Sequence, residues 1–170
     1  MPVQSAEDLF LTILSNVRDR EERSMQFWQE MSEMAQNEEV KEILNTRAFL
    51  TKQSLANLDE CFKLLGKQPL QPTTTRLHDA FVEDFRREYN EIQAPGLRSL
   101  YVIHKVGELV HLHEAAYVGL IAMAESMGDI PVSALLETNL ASKQVFIERA
   151  KELVREVGGA AIARRLRKVA

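Results

Sequence analysis

Charged or titratable side chains interrupt the apolar stripes of four long helical segments, near the middle of each segment. These residues are Glu21, Arg47, His113 and Lys143. A turn of 100° per residue places each of them within the apolar arc of its own helix. Burying an unpaired charge costs several kcal/mol in a real protein. Inward groups of this kind must therefore be paired, neutralised or bound to a metal.

A di-metal carboxylate centre is one interpretation of these residues. Such a centre uses about four Glu or Asp and two His, typically with Glu-x-x-His pairs on two helices, and iron or manganese accepts these ligands. Glu108-x-x-His111 has this spacing, but it lies at or beyond the edge of the core face. His113 points inward, yet the residue three positions earlier is Val110. Lys143 stands where a carboxylate is needed.

A metal-free layer and solvent-directed side chains are the two other interpretations. In the first, Glu21 pairs with Lys143 or Arg47, and His113 is hydrogen-bonded nearby. We call these four residues the polar layer. In the second, the long side chains extend to solvent and His113 is an ordinary core histidine. The polar layer is preferred because it uses the same inward residues without requiring ligands that the sequence lacks.

Other catalytic chemistry finds little support. The four histidines are scattered over helices without a nucleophile elbow, and no Gly-rich phosphate loop is present. The single cysteine, Cys61, cannot form an intrachain disulfide or a Cys-based zinc site. We therefore predict no catalytic residue, no cofactor-binding residue and no small-molecule substrate, and the sequence favours a protein that is not an enzyme.

Two helical hairpins must position the polar layer. Ser5 followed by Asp8 is a capping-box start for the first helix. Asn37 can end this helix and cap the second, which runs to about Leu65 with Gly66 as its C-cap. So short a connection makes the pair antiparallel. The third long helix covers Leu97 to Met127, and the fourth starts at Pro131 or Ser133 and ends at Gly158-Gly159.

A long crossover joins the two hairpins. Thr73, Thr74 and Thr75 are alternative caps for a shorter helix within it, whose apolar residues are Leu77, Phe81, Phe85 and Ile92. Two long hairpins joined by roughly 30 residues describe a bundle with one long crossover. We expect an all-α, ferritin-like four-helix bundle over residues 1–159, with a short extra helix in the crossover. Residues 160–170 are expected to form a basic amphipathic C-terminal tail.

Composition limits the partners and the compartment. The formal net charge is −4, so no attraction of the whole domain to nucleic acid is implied. No apolar stretch approaches the length of about 20 residues that spans a bilayer. The N-terminus lacks a basic region followed by an apolar run, so a secretory signal is not expected. The cytoplasm is the expected location.

The chain resembles the YciE/YciF-type ferritin-like stress-response proteins of bacteria, up to about Val157. The start of the chain is similar to the family's x-E-D-L-F-x-x-x-L-S-D opening. The segments that carry the resemblance are Ser5-Ala6-Glu7-Asp8-Leu9-Phe10, Leu14-Ser15-Asn16, Tyr117 to Gly128, and Leu135-Leu136-Glu137-Thr138. The resemblance implies a ferritin-like bundle that acts in a stress response.

The same resemblance implies two metal ions on inward carboxylates. Glu21 matches the glutamate of the family's first helix, and Asp79 or Glu83 matches an acid on the short helix. With His113, these are the candidate metal ligands. The family's Glu-x-x-Glu/His on the third long helix is Val110-x-x-His113 here, and its acidic run on the fourth is Ala141-Ser142-Lys143.

The sequence therefore predicts a non-enzymatic, ferritin-like stress-response protein with a degenerate metal site, and a homodimer as its assembly. No bound cofactor is expected. The alternative is a di-iron or di-manganese carboxylate protein with oxidase or iron-handling activity.

Overall fold

The computed structural model describes residues 3–73 and 76–169, with side chains described up to residue 160. Helices form almost all of this part of the chain, and no strand occurs in it. The five helices are α1 (Ala6–Met34), α2 (Glu38–Leu64), α3 (Arg76–Glu91), α4 (Pro95–Met127) and α5 (Ile130–Val169).

The four long helices pack as a closed ring. Each of α1 and α5 contacts both α2 and α4, so the two hairpins face each other. The short helix α3 lies in the crossover between the hairpins and packs on α1 and α4. The predicted ferritin-like four-helix bundle with a helix-containing crossover is confirmed.

Local sequence signals fix the ends of the helices. Ser5 Oγ accepts a hydrogen bond from the backbone N–H of Asp8 at 3.0 Å, and Asn37 Oδ1 accepts one from Val40 N–H at 3.0 Å. Gly66 and Gly128 follow α2 and α4 with φ values of 65° and 79°. Glycine enters this left-handed region without the Cβ clash of other residues, so it suits a helix C-terminus. The predicted caps and stops at these four positions are confirmed.

Two apolar clusters fill the bundle, one toward each end. The first, called the Trp28 cluster, includes Phe27, Trp28, Met31, Leu44, Val106, Val110 and Phe146. The second, called the Phe10 cluster, includes Phe10, Leu14, Val17, Leu58, Tyr117, Leu120 and Leu136. Each long helix passes from one cluster to the other, and the residues of the polar layer lie at the crossing points.

Two local predictions are wrong, and two lie outside the described residues. The helix predicted to end at Gly158-Gly159 continues to Val169. Glycine costs about 1 kcal/mol in a helix without forbidding it, and neither residue has a positive φ. Leu77 is 53% exposed, although it was placed on the apolar stripe of α3. Thr74 and Thr75 lie outside the described residues, as do the side chains of the predicted basic tail from residue 161 onward.

Candidate functional site

The carboxylate of Glu21 lies at the centre of the bundle and is fully buried. Lys143 Nζ lies 2.5 Å from its Oε1, and Arg47 Nη2 lies 3.6 Å from its Oε2. Tyr117 Oη donates a hydrogen bond to Oε1 at 3.1 Å, and His113 Nδ1 lies 3.5 Å from the same oxygen. All four long helices thus contribute to one cluster around a single carboxylate.

Helical spacing explains why these polar side chains point inward. On α1, Val17, Glu21, Ser24 and Trp28 follow one another at intervals of four, three and four residues, and all are buried. Such intervals keep side chains on one face of a helix. Glu21 therefore occupies a position that an apolar residue would fill in an ordinary core. The other members of the polar layer occupy equivalent positions on their own helices.

Aromatic rings surround the two buried cations. The guanidinium carbon of Arg47 lies 6.0 Å from the ring centroid of Trp28 and 5.6 Å from that of Phe146. Lys143 Nζ lies 4.5 Å from the ring centroid of Tyr117. Cation–π attraction at desolvated sites contributes about 2 kcal/mol or more. These rings therefore offset part of the cost of removing the cations from water.

The protonation states follow from burial and from mutual charge. Burial raises the pKa of Glu21, but the ammonium of Lys143, together with His113 and Arg47, outweighs burial and holds the pKa well below its ordinary value. Burial lowers the pKa of Lys143 to about 8, although Glu21 favours its charged form. Burial also lowers the pKa of His113. At neutral pH the cluster therefore holds one carboxylate, two cations and a neutral imidazole.

Uncharged polar groups extend the cluster along the bundle. Asn139 Nδ2 donates to the backbone oxygen of Ser54 at 3.1 Å and to Tyr117 Oη at 3.4 Å. Trp28 Nε1 donates to Thr51 Oγ1 at 3.1 Å. Ser24 Oγ lies 3.4 Å from His113 Nε2. These contacts orient Tyr117 and His113, which contact Glu21, and Trp28, whose ring lies beside Arg47.

The acids of the short helix do not join this cluster. Asp79 has a side chain that is 58% exposed and pairs with Arg23, whose Nη1 lies 3.2 Å from Asp79 Oδ1. Glu83 is also exposed. Both line an open groove of about 510 Å³ between α1 and α3, with Phe27 and His78. Of the four candidate metal ligands, the structure brings together Glu21 and His113 and leaves Asp79 and Glu83 at the surface.

The Glu108-x-x-His111 pair also lies outside the bundle interior. Glu108 Oε1 is 3.1 Å from Nε2 of the exposed His104, and His111 Nδ1 is 2.9 Å from Glu114 Oε2. These contacts run along the outer surface of α4. Neither residue faces the carboxylate of Glu21.

A di-metal centre does not fit the residues around Glu21. The cluster supplies one carboxylate and one imidazole, where about four carboxylates and two imidazoles are needed. Among the residues described, no group of three or more His, Cys, Asp and Glu side chains is arranged to hold a metal ion. The ammonium of Lys143 in addition occupies the direct contact to Glu21 Oε1.

Sequence reasoning missed two members of this neighbourhood. Tyr117 was assigned to the apolar arc, and its hydroxyl contact to Glu21 was not foreseen. His78 is only 5% exposed and its ring lies edge-on to Phe27, with centroids 6.3 Å apart. Its spacing of seven residues before Phe85 is the signal that could have placed it on the buried face of α3.

A protein-family model matches residues 5–163, and its description is a domain of unknown function, DUF892. The chain belongs to the DUF892 family. The resemblance to YciE/YciF-type proteins is confirmed by this match and by the solved structures that share the fold. No curated protein matches the chain.

Three solved structures of similar fold cover nearly the whole chain. YcfI from Rhodopseudomonas palustris is 24% identical, with a TM-score of 0.83 over 88% of this chain and 94% of its own. The E. coli stress protein YciF is 16% identical, with a TM-score of 0.85 over 92% and 98%. A protein from Xanthomonas campestris pv. campestris is 18% identical, with a TM-score of 0.71 over 98% and 100%. At these identities the similarity establishes the fold.

None of the described helices carries an apolar stretch long enough to cross a bilayer.

Proposed function

We propose that this chain is a non-enzymatic, ferritin-like bundle protein of a bacterial stress response, in which a metal-free ionic cluster replaces a metal centre. The contact between Lys143 Nζ and Glu21 Oε1, at 2.5 Å in a fully buried setting, carries the proposal. A cation held against the same carboxylate repels a dication. The polar layer then joins the four helices where a metal-binding relative would use its ions.

The stress-response part of the proposal rests on similarity. The E. coli relative YciF is a stress protein, and a structural role has been suggested for YcfI. Both share the fold of this chain over most of its length. A cytoplasmic homodimer is part of the same proposal and rests on the sequence alone.

Metal analysis of the purified protein tests the metal-free state. The protein is produced in cells supplemented with iron or with manganese, and the metal content per chain is measured by plasma mass spectrometry. We expect contents far below stoichiometric for both metals. Tightly held, near-stoichiometric iron or manganese would overturn the proposal in favour of the oxidase or iron-handling alternative.

Two matched variants locate any metal that is found. Glu21→Gln removes the central carboxylate, whereas Glu83→Gln removes an exposed carboxylate on α3. Metal that disappears in the first variant and persists in the second belongs to the bundle interior. Metal that persists in both variants is bound elsewhere on the surface.

The cellular role requires a separate measurement. A strain lacking the gene is complemented with the wild-type chain or with Glu21→Gln, and survival is measured after oxidative and osmotic challenge. Reduced survival of the deletion strain, restored by the wild-type chain, is the expected result. Equal survival of the deletion and complemented strains under both challenges would contradict the stress-response role.

A further inference from the structure

Two large apolar side chains project from the outer surface of the bundle at one level of α2 and α5. Phe49 on α2 is 61% exposed, and Val145 on α5 is 72% exposed. Each lies next to a residue that joins the two helices, because the guanidinium of Arg47 packs over the ring of Phe146. Phe49 and Val145 therefore share one face of the bundle, formed by the outward sides of these helices, which we call the α2/α5 face.

A second contact fixes the direction of the two helices. Asn57 Nδ2 donates a hydrogen bond to Asn139 Oδ1 at 2.8 Å. Residue numbers thus rise along α2 while those of the contacting residues on α5 fall, so the helices run antiparallel. Residues 46–57 of α2 consequently lie beside residues 138–147 of α5.

This middle part of the α2/α5 face exposes no charge. Residues 46–57 and 138–147 contain three charged side chains, two of which belong to the buried polar layer. The third, Lys52, lies two helical turns after Asn45, which bonds to α1, so Lys52 is on the side of α1. In a chain with 27% charged residues, an uncharged outer face with an exposed aromatic ring has the composition of an interface centre.

Two other faces of the bundle are less suited to a partner. The short helix α3 packs over α1 and α4 and covers that side. Arg18 of α1 pairs with Asp59 of α2 at 2.6 Å, so charged groups cross the outer side of the first hairpin.

The α2/α5 face has the area that a stable dimer needs. Helix α2 has 27 residues, which is about 40 Å at 1.5 Å per residue, and two helices side by side are about 20 Å wide. Such a face offers roughly 800 Å² per partner, the size of a standard interface. Phe49 lies close to the midpoint of α2. A large aromatic side chain at the centre is where binding energy is concentrated.

Charges at the two ends of the face decide how two copies can meet. Glu38, Glu39 and Glu42 are exposed where α2 begins, whereas Lys63 pairs with Glu60 near the end of α2. A two-fold axis parallel to the helices brings the acids of one copy to the same acids of the other, and like charges repel across an interface. An axis that crosses the helices brings the acids to the neutral end, next to Lys63 of the second copy.

We propose that the α2/α5 face binds a second copy of this chain, with a two-fold axis that crosses both helices beside Phe49 and Val145. The two copies of α2 then run antiparallel, and the two Phe49 rings meet near the axis. This inference rests on the homodimer included in the proposed function, and it assigns that dimer an interface.

The molar mass in solution tests the interface. Light scattering after size exclusion should give the wild type twice the mass of one chain. Phe49→Glu or Val145→Glu places a carboxylate of each copy near the axis, and we expect the Kd of the dimer to rise about 30-fold or more. Both positions are exposed in the single chain, so each variant should fold, and circular dichroism checks this.

An exposed valine elsewhere provides the matched control. Val118 is 55% exposed and lies on α4, so Val118→Glu should leave the dimer intact. Three results would overturn the inference: a monomeric wild type, a dimer that survives both Phe49→Glu and Val145→Glu, or a dimer that Val118→Glu disrupts to the same extent.

Cysteine cross-linking tests the antiparallel arrangement without the glutamate variants. Glu39→Cys and Lys63→Cys place a thiol at opposite ends of α2. An equilibrated mixture of the two, treated with a short bismaleimide, should give a covalent dimer, whereas either variant alone should not. The native Cys61 is fully buried, and burial raises the pKa of its thiol to about 12, so it stays unreactive. A covalent dimer of either variant alone, or none in the mixture, would contradict the arrangement.

The failure of this inference can be told from the failure of the proposed function. A dimer that survives both glutamate variants overturns the interface and leaves the homodimer standing, whereas a monomeric wild type overturns both. Metal content and stress survival are measured independently of either result.

Discussion

The polar layer and the two apolar clusters beside it occupy equivalent positions on the same four helices. The clusters fill their positions with side chains such as Leu14 and Leu44, which are both 0% exposed. The polar layer is equally buried, but it fills the same positions with polar side chains, three of which carry charge. Apolar contacts are non-directional and tolerate rearrangement, whereas a buried charge requires a specific partner at short range. We therefore expect the clusters to stabilise the fold through buried apolar area and the polar layer to restrict how the helices align.

Removal of the central carboxylate should have the largest effect. Glu21→Gln leaves Arg47 and Lys143 buried without their counter-charge, and breaking a buried pair in this way costs about 3–5 kcal/mol. The free energy of unfolding from urea denaturation measures the loss. A loss below about 1 kcal/mol would match an exposed ion pair and would contradict a desolvated cluster.

A matched substitution in the Trp28 cluster provides the control. Leu44→Ala removes a fully buried apolar side chain and should cost about 2–5 kcal/mol through lost burial and a residual cavity. The two losses are comparable in size but differ in origin. The loss from Leu44→Ala should not change between pH 5 and pH 7, because no titrating group is removed.

Acidification should destabilise the fold through its two buried histidines, His113 in the polar layer and His78 beside Phe27 of the Trp28 cluster. Burial lowers the pKa values of His113 and His78 below their ordinary values. The unfolded chain therefore binds more protons than the folded chain at pH values between the lowered pKa and about 6.5, the ordinary value. Stability is thus lost as the pH falls below about 6.5. Urea denaturation at pH 7 and pH 5 should show a smaller loss in His78→Gln than in the wild type.

An exposed histidine offers the control for this pH dependence. His104 has a side chain that is 65% exposed and pairs with Glu108 on the outer face of α4. His104→Gln should retain the acid sensitivity of the wild type. If His78→Gln and His104→Gln respond identically to pH, the buried histidines are not the source of that sensitivity.

The smallest effect is expected where the same kind of ion pair lies at the surface. Arg86 donates to both carboxylate oxygens of Glu30, at 2.8 and 2.6 Å, but its side chain is 56% exposed. Exposed pairs contribute about 0–1 kcal/mol. Arg86→Ala should therefore change the urea midpoint only slightly. A loss close to that of Glu21→Gln would mean that burial is not what distinguishes the two pairs.

The sequence predicted the helices because their signals are local. The caps at Ser5 and Asn37 and the stops at Gly66 and Gly128 are properties of a few adjacent residues. The predicted end of α5 was wrong because a helix can continue through glycine where it packs against the rest of the chain. Gly158 lies beside Leu100 of α4, and α5 continues beyond it to Val169. Leu77 was misplaced because it is the neighbour of His78. The buried face of α3 includes His78 and Phe85, seven residues apart, and Leu77 lies one residue off that spacing.

The sequence by itself determined that one acidic side chain, two basic side chains and one imidazole point into the core of the same bundle. It identified Glu21, Arg47, His113 and Lys143 because helical periodicity alone decides which side chains face inward. Only the tertiary structure decided that Lys143 contacts Glu21 directly, that Tyr117 completes the contacts of the carboxylate, and that Asp79 and Glu83 remain at the surface. The physical reason is that the azimuth of a residue on its helix is a local property. The distance between two residues on different helices depends on how the helices are shifted and rotated against each other.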